Sequence, residues 1–156
     1  MKRIIISALI LLTLSFCAEE PITIPQEFSG LKLTKHLTGA EAINFVNRLH
    51  FNSVTSEKNE IGFYSGEKGN AIIYVTYYND ENTASDNYEK MTVKISPENS
   101  VFEKGSFMTV SGRRVYRTFG MGQTHYVFTI NNKLFWISAE TVWARKFLDE
   151  YIDLID

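Results

Sequence analysis

Cys17 is the only cysteine of this chain, and His36, His50 and His125 are its only histidines. A thiol and three imidazoles could hold a metal or activate a nucleophile, but their spacing supports neither. No two histidines stand at His-x₃-His or similar spacing, and no second thiol is present, so a metal site has little basis. The Gly120-Met121-Gly122 stretch lacks the G-x-G-x-x-G and G-K-[ST] patterns of phosphate cradles and reads as a corner between strands. No G-x-S-x-G serine elbow occurs. His50 ends a predicted helix, where a cation-capable side chain suits the dipole. His36 precedes a helix start and reads as a surface residue. His125 alone sits on a predicted strand among aromatic neighbours. No catalytic residue, cofactor or metal is assigned.

Cys17 closes a distinctive segment. Lys2-Arg3 is followed by an apolar run from Ile4 to Phe16, which is 13 residues long. A spanning helix needs about 20, so the run suits an export signal better than a membrane span. The stretch Leu14-Ser15-Phe16-Cys17 resembles a bacterial lipobox, in which the cysteine is acylated and becomes the first mature residue. Phe16 departs from that pattern, which normally has Gly, Ala or Ser before the cysteine. Ordinary signal-peptidase cleavage near Cys17 is the alternative. The resemblance covers residues 1–17 and implies lipidation at Cys17, attachment to a membrane through a lipid, and a place on the periplasmic or surface side of a bacterial cell envelope. A thiol with no partner fits this, because it can form no internal disulfide and is a liability in an oxidising compartment.

Removing residues 1–17 from the 156 leaves 139, the length of one domain with a proper core. Lys2 and Arg3 leave with them, so 14 of the 16 basic residues face 18 acidic ones, a net charge of −4. That mild acidity argues against a nucleic-acid partner. Ala18 to Ser29, with Pro21 and Pro25, reads as an extended tether, and residues 30–156 as a single α+β domain.

Within that domain Leu31 to Thr34 alternate as a strand. Thr38-Gly39-Ala40-Glu41 forms a capping-box pattern ahead of a helix over 39–50, with Ala40, Ile43, Phe45, Val46 and Leu49 at helical spacing. Two β-rich runs, 60–65 and 71–78, flank a Gly-rich connection. A second helix starts at Thr83, with Ala84, Tyr88, Met91 and Ile95 on one stripe and Pro97 beyond it. Strands 106–110, 113–119, 124–130 and 134–138 follow, the first pair joined at Ser111-Gly112 and the second at Asn131-Asn132-Lys133. A third helix spans 140–155. The order β-α-β-β-α-β-β-β-β-α predicts an antiparallel sheet of six to seven strands with helices packed on one face.

Alternation sorts the two faces. Tyr126, Phe128, Ile130, Phe135 and Ile137 share a side with Ala71, Ile73, Val75 and Tyr77, assigned to the core. The opposite side carries Tyr74, Thr76, Tyr78, His125, Thr129 and Trp136. Tyr64 is placed with them because it opposes Ile61 and Phe63, taken as core. Aromatic rings with polar tips suit recognition of a protein or small-molecule ligand, so Tyr64, Tyr74, Tyr78, His125 and Trp136 form the candidate binding face. Packing within the sheet explains such residues as well. Arg113 and Arg117 share one strand face, and Asp149, Glu150 and Asp153 form the wet face of the last helix.

The expectation is an exported, lipid-anchored envelope protein of non-catalytic binding or accessory type. One rival is a small envelope enzyme using His125 with Tyr74 or Tyr78. Another is a self-associating structural component using exposed strand edges.

Overall fold

The computed structural model describes residues 22–49 and 57–156. The longer strands form where the sequence alternates, and two-residue turns set the register of the hairpins. The elements are β1 (Glu27–Phe28), β2 (Leu31–Thr38), α1 (Gly39–Leu49), β3 (Lys58–Gly66), β4 (Gly69–Tyr77), α2 (Glu81–Lys94), β5 (Glu103–Val110), β6 (Arg113–Gly120), β7 (Gln123–Ile130), β8 (Lys133–Glu140) and α3 (Ala144–Ile155). All eight strands join one antiparallel sheet in the order β1-β2-β3-β4-β8-β7-β6-β5. Ile130 pairs with Lys133, so the turn is Asn131-Asn132, and Asn131 takes φ +52. A two-residue turn of this hand needs positive φ, which asparagine tolerates.

Two expectations change. The sheet has eight strands because Glu27–Phe28, read as tether, pairs with Leu31–Lys32 as a short edge strand. The helices also cover both faces. Ile73 and Val75 of β4 belong to the core under α3, together with Phe128, Phe135, Ile137, Phe147 and Tyr151. Ile72 and Tyr74 of the same strand pack with Ala42 and Phe45 of α1. Val127, Leu134 and Trp136 pack with Tyr88 and Met91 of α2. Alternate residues of one strand therefore meet α3 on one side and α1 or α2 on the other.

The segment before β1 belongs to the domain. Thr23 and Ile24 are buried. The Tyr151 hydroxyl donates to the Thr23 carbonyl at 2.6 Å and the Tyr64 hydroxyl to the Pro25 carbonyl at 2.9 Å. The tether expected over 18–29 is thus docked from Thr23 on, and residues 18–21 lie outside the described residues, as do Cys17 and His50.

Helix α1 buries Ala42 rather than Ala40, which is exposed. Helix α2 starts two residues early because Asp80 caps it: its carboxylate accepts from the Thr83 N–H and hydroxyl, each at 2.8 Å. Helix α3 starts later than expected, because β8 continues to Glu140.

The α3 core rests on aromatic contacts. Phe128 and Phe135 oppose each other across the ladder and stack at 5.0 Å. Phe147 meets Phe28, Trp143 and Tyr151. Phe147→Ala should lower the unfolding free energy by about 3–5 kcal/mol through the cavity it opens. Leu154→Ala, on a side chain 47% exposed, should change it by no more than about 0.5 kcal/mol. Urea denaturation of the two variants checks the contrast.

Candidate functional site

Strands β7 and β8 set His125 directly opposite Ser138, and Trp136 opposite both Val127 and, on its other side, Tyr74. The His125 Nδ1 lies 2.8 Å from Ser138 Oγ, and its Nε2 lies 3.1 Å from the Gly120 carbonyl oxygen. The carbonyl can only accept, so Nε2 carries the proton and Nδ1 is left to accept from the Ser138 hydroxyl. The Trp136 indole N–H reaches Ser138 Oγ at 3.1 Å. The donors therefore run in sequence from Trp136 to Ser138 to His125 to the Gly120 carbonyl. Phe102, from the segment between α2 and β5, sets its ring 4.9 Å from that of His125 and 5.7 Å from that of Trp136. A Cβ at Gly120 would lie 2.7 Å from the Phe102 ring, so this position must stay bare for the ring to sit there.

A serine hydroxyl bonded to an imidazole is the start of a nucleophile and base, but this pair lacks the rest. His125 is 2% exposed and Ser138 4%. The far nitrogen of His125 is held by a backbone carbonyl, where acyl-transfer sites place an orienting carboxylate. Burial pushes the His125 pKa below the usual histidine value, with the Gly120 bond opposing, so the ring is neutral near pH 7. Neither His125 nor Ser138 lines the neighbouring recess at Gly120 and Gln123. Burial also holds the Tyr74 hydroxyl up at about 12, which removes it as a base near neutral pH. Tyr78 is raised by burial and then by the charge of Glu57.

The five residues of the candidate face divide. Tyr74, Tyr78, His125 and Trp136 lie on the face covered by α1 and α2. Tyr64 does not join them. It pairs with Ala71, shares the α3 core with it, and is 2% exposed. Ile61 and Phe63 pair with Tyr74 and Ile72, so they belong to the α1 side. Since both faces are buried, hydrophobicity could not tell which of the two Ile61 and Phe63 occupy. The face is a packed interior layer and not an open surface.

Most of the other charged candidates lie against an opposite charge, whereas Arg117 donates to the Ser106 hydroxyl at 3.3 Å. His36 lies 3.6 Å from the Glu60 carboxylate, Arg113 pairs with Asp156, and Arg114 pairs with Glu89. Arg145 and Lys146 pair with Asp149 and Glu150 along α3. Among the described residues no group of three His, Cys, Asp or Glu side chains is placed to hold a metal.

No family model matches the chain, and no curated protein sequence matches it. Among solved structures, one described as a GTP binding regulator from Thermotoga maritima has a similar fold. The TM-score is 0.56 at 12% identity, over 88% of this chain and 95% of that one. The likeness shows a shared sheet-rich α+β architecture.

The buried histidine makes stability depend on pH. In the unfolded chain it takes up a proton as pH falls through about 6.5. In the folded chain its pKa is lower. Between those two values the unfolded state binds more protons, so folding is stabilised above about pH 6.5 and loses that contribution as pH falls toward the folded pKa. The urea midpoint should fall from pH 7 to pH 5 by more in the wild type than in His125→Gln. Parallel slopes for the two would refute a buried neutral His125.

Proposed function

We propose that this chain is an exported, lipid-anchored cell-envelope protein that acts as a non-catalytic binding or accessory module. The observation that carries the reading is the leader itself: a basic pair, 13 apolar residues, then the lone Cys17. Its spacing to the domain supports it. Four residues separate Cys17 from Ile22, and Thr23 is already buried. A lipid on Cys17 would hold the domain within about 20 Å of a bilayer. No helix among the described residues is long and apolar enough to cross a membrane. An anchor would therefore come from the lipid, with more than one acyl chain needed for stable attachment.

The non-catalytic part rests on the closed state of the Ser138–His125 pair, whose polar atoms are spent on each other and on the backbone. The name of the structural neighbour links that protein with GTP. This sequence carries no G-x-x-x-x-G-K-[ST] run, and nucleotide binding forms no part of the proposal.

Expression of the full chain in a bacterium, with fractionation and intact mass of the product, tests the anchor. The expected product partitions with membranes and carries a diacylglyceryl mass on Cys17. Cys17→Ser should lose that mass and the modified N-terminus. An unmodified chain beginning at Ala18, or an uncleaved chain in the cytosol, overturns the proposal.

A further inference from the structure

We propose that Arg117, the Tyr126 hydroxyl and Arg145 form a binding site for a carboxylate carried on an apolar or aromatic group. The inference deepens the binding-module part of the preceding reading and does not depend on the lipid, so a chain without Cys17 tests it separately.

Strand pairing builds the site. Arg117 of β6 stands directly opposite Tyr126 of β7 on one flank and Ser106 of β5 on the other. Paired residues share a face, and this one is the α3 face, since Val115 and Tyr126 both belong to the α3 core. Ala144, Leu148 and Ile152 of α3 pack in that core. Arg145 and Asp149 of the same helix stand close enough for their charges to act on the Tyr126 hydroxyl, as does the charge of Arg117. Three strands and a helix thus bring two guanidinium groups and a phenol to one place.

The pointer to a ligand is what Arg117 lacks. Its Nε is buried and has no hydrogen-bond partner among the described residues. Its Nη2 makes one bond, to the Ser106 hydroxyl at 3.3 Å, just beyond the usual range. The other arginines of β6 differ: Arg113 is held by Asp156 and Arg114 by Glu89. A buried donor without an acceptor carries the full cost of its desolvation. The Tyr126 hydroxyl makes no hydrogen bond among the described residues either, although the residue is 3% exposed. Arg145 holds the Asp149 carboxylate through its Nε, at 2.8 and 2.9 Å, which leaves its terminal nitrogens to another acceptor.

Donors without acceptors on fixed elements call for an oxyanion, and a guanidinium fork matches a carboxylate. Asp149 selects among oxyanions. Its charge beside Tyr126 opposes a second negative charge, so a monoanionic carboxylate is favoured over a phosphate dianion. The rest of the surroundings are apolar. The Arg117 guanidinium lies 5.3 Å from the centre of the Phe119 ring, and Met108 is partly buried against the same core. An apolar body attached to the carboxylate would meet these two side chains.

The test records proton–nitrogen correlation spectra, including the arginine Nε–H signals, on the full chain in mild detergent and on the same chain bearing Cys17→Ser. Its probes are phenylacetate, the neutral phenylacetamide and inorganic phosphate. Phenylacetate should give saturable shifts at the Arg117 Nε–H and the Tyr126 amide in both proteins, with phosphate weaker and phenylacetamide silent. Arg117→Lys keeps the charge and loses the fork, so it should weaken phenylacetate about tenfold. Tyr126→Phe should also weaken it, and Asp149→Asn should tighten it. Phenylacetate should raise the melting temperature of the wild type and not that of Arg117→Lys, whose own melt shows that it folds. An Arg117 that merely packs over Val115 would move stability and leave binding unchanged. The proposal is overturned if phenylacetate gives no saturable shift at Arg117, if phenylacetamide or phosphate binds as tightly, or if Arg117→Lys binds as the wild type does. Binding retained in a chain found without the diacylglyceryl mass would sink the anchor and leave this site standing.

Discussion

Along β7, Tyr126, Phe128 and Ile130 face α3, while His125 and Val127 face the opposite layer, and all five are buried. Where a sheet is covered on both sides, as over these central strands, it has no solvated face to which polar alternates can be consigned. Each polar side chain on the central strands must find a partner inside, or its desolvation costs about 1–3 kcal/mol. Much of the interior follows that requirement, while the Tyr88 hydroxyl, the Arg113 and Arg117 Nε and the Trp143 indole N–H are buried without a hydrogen-bond partner among the described residues. Ser138 answers His125, Thr118 donates to the Glu103 carbonyl at 2.9 Å, and Thr76 donates to Asn59 at 2.7 Å. The Ser138–His125 pair has the composition of a catalytic dyad, yet its geometry serves the packing constraint. It converts two buried polar groups and an indole N–H into one satisfied chain that ends on the backbone of the Gly120 turn.

The same constraint governs the chain's entry into the domain. Helix α3 covers the centre of its face, and the margin is finished by Ile24, Phe28 and Leu31. Two tyrosines on that margin would otherwise bury hydroxyls without acceptors, and burial raises the pKa of both. The carbonyls of Thr23 and Pro25 supply the acceptors. Residues 23–26 are therefore a fixed part of the fold, closed further by the Leu33 N–H donating to the Gln26 carbonyl at 2.8 Å.

Much of this was legible in the sequence, and the failures have physical reasons. The three helices followed from their stripes, and the hairpins from period-two alternation between turn residues. Strand β1 escaped because two residues carry no periodicity, and their pairing is decided by what docks beside them. The face of Tyr64 was misread because Ile61, Phe63 and Tyr64 are apolar on both sides of the strand, and alternation signals a face only when one side is wet. Asp80 was passed over as the cap of α2, although its spacing to Thr83 carries the signal. Ser138 was recoverable too. A two-residue turn at Asn131-Asn132 sets residue 125 opposite residue 138, so the partner of His125 could have been named from the register alone.

With the central strands covered on both faces, what the sheet leaves open is its edges and ends. The two edges differ. β1 covers only Leu31 and Lys32 of β2, so β2 has no strand beside it on that side over the rest of its length. The β5 edge is broken by a shift in register between Glu103 and Ser106, with Lys104 at φ +53, and the Arg114 guanidinium lies 3.8 Å from the centre of the Phe107 ring beyond it. Bulges and cationic side chains at an edge are what keep sheets from recruiting neighbours. The ends differ from one another. At one, the chain enters, and Asn131, Asn132 and Lys133 surround a small recess with Thr23. At the other, the turns carry exposed apolar residues and a conformation that opposes the side chain it holds. The interior hydrogen bond from His125 thus fixes the root of a turn whose methionine stands in water, so the burial constraint of the core reaches the surface at that end.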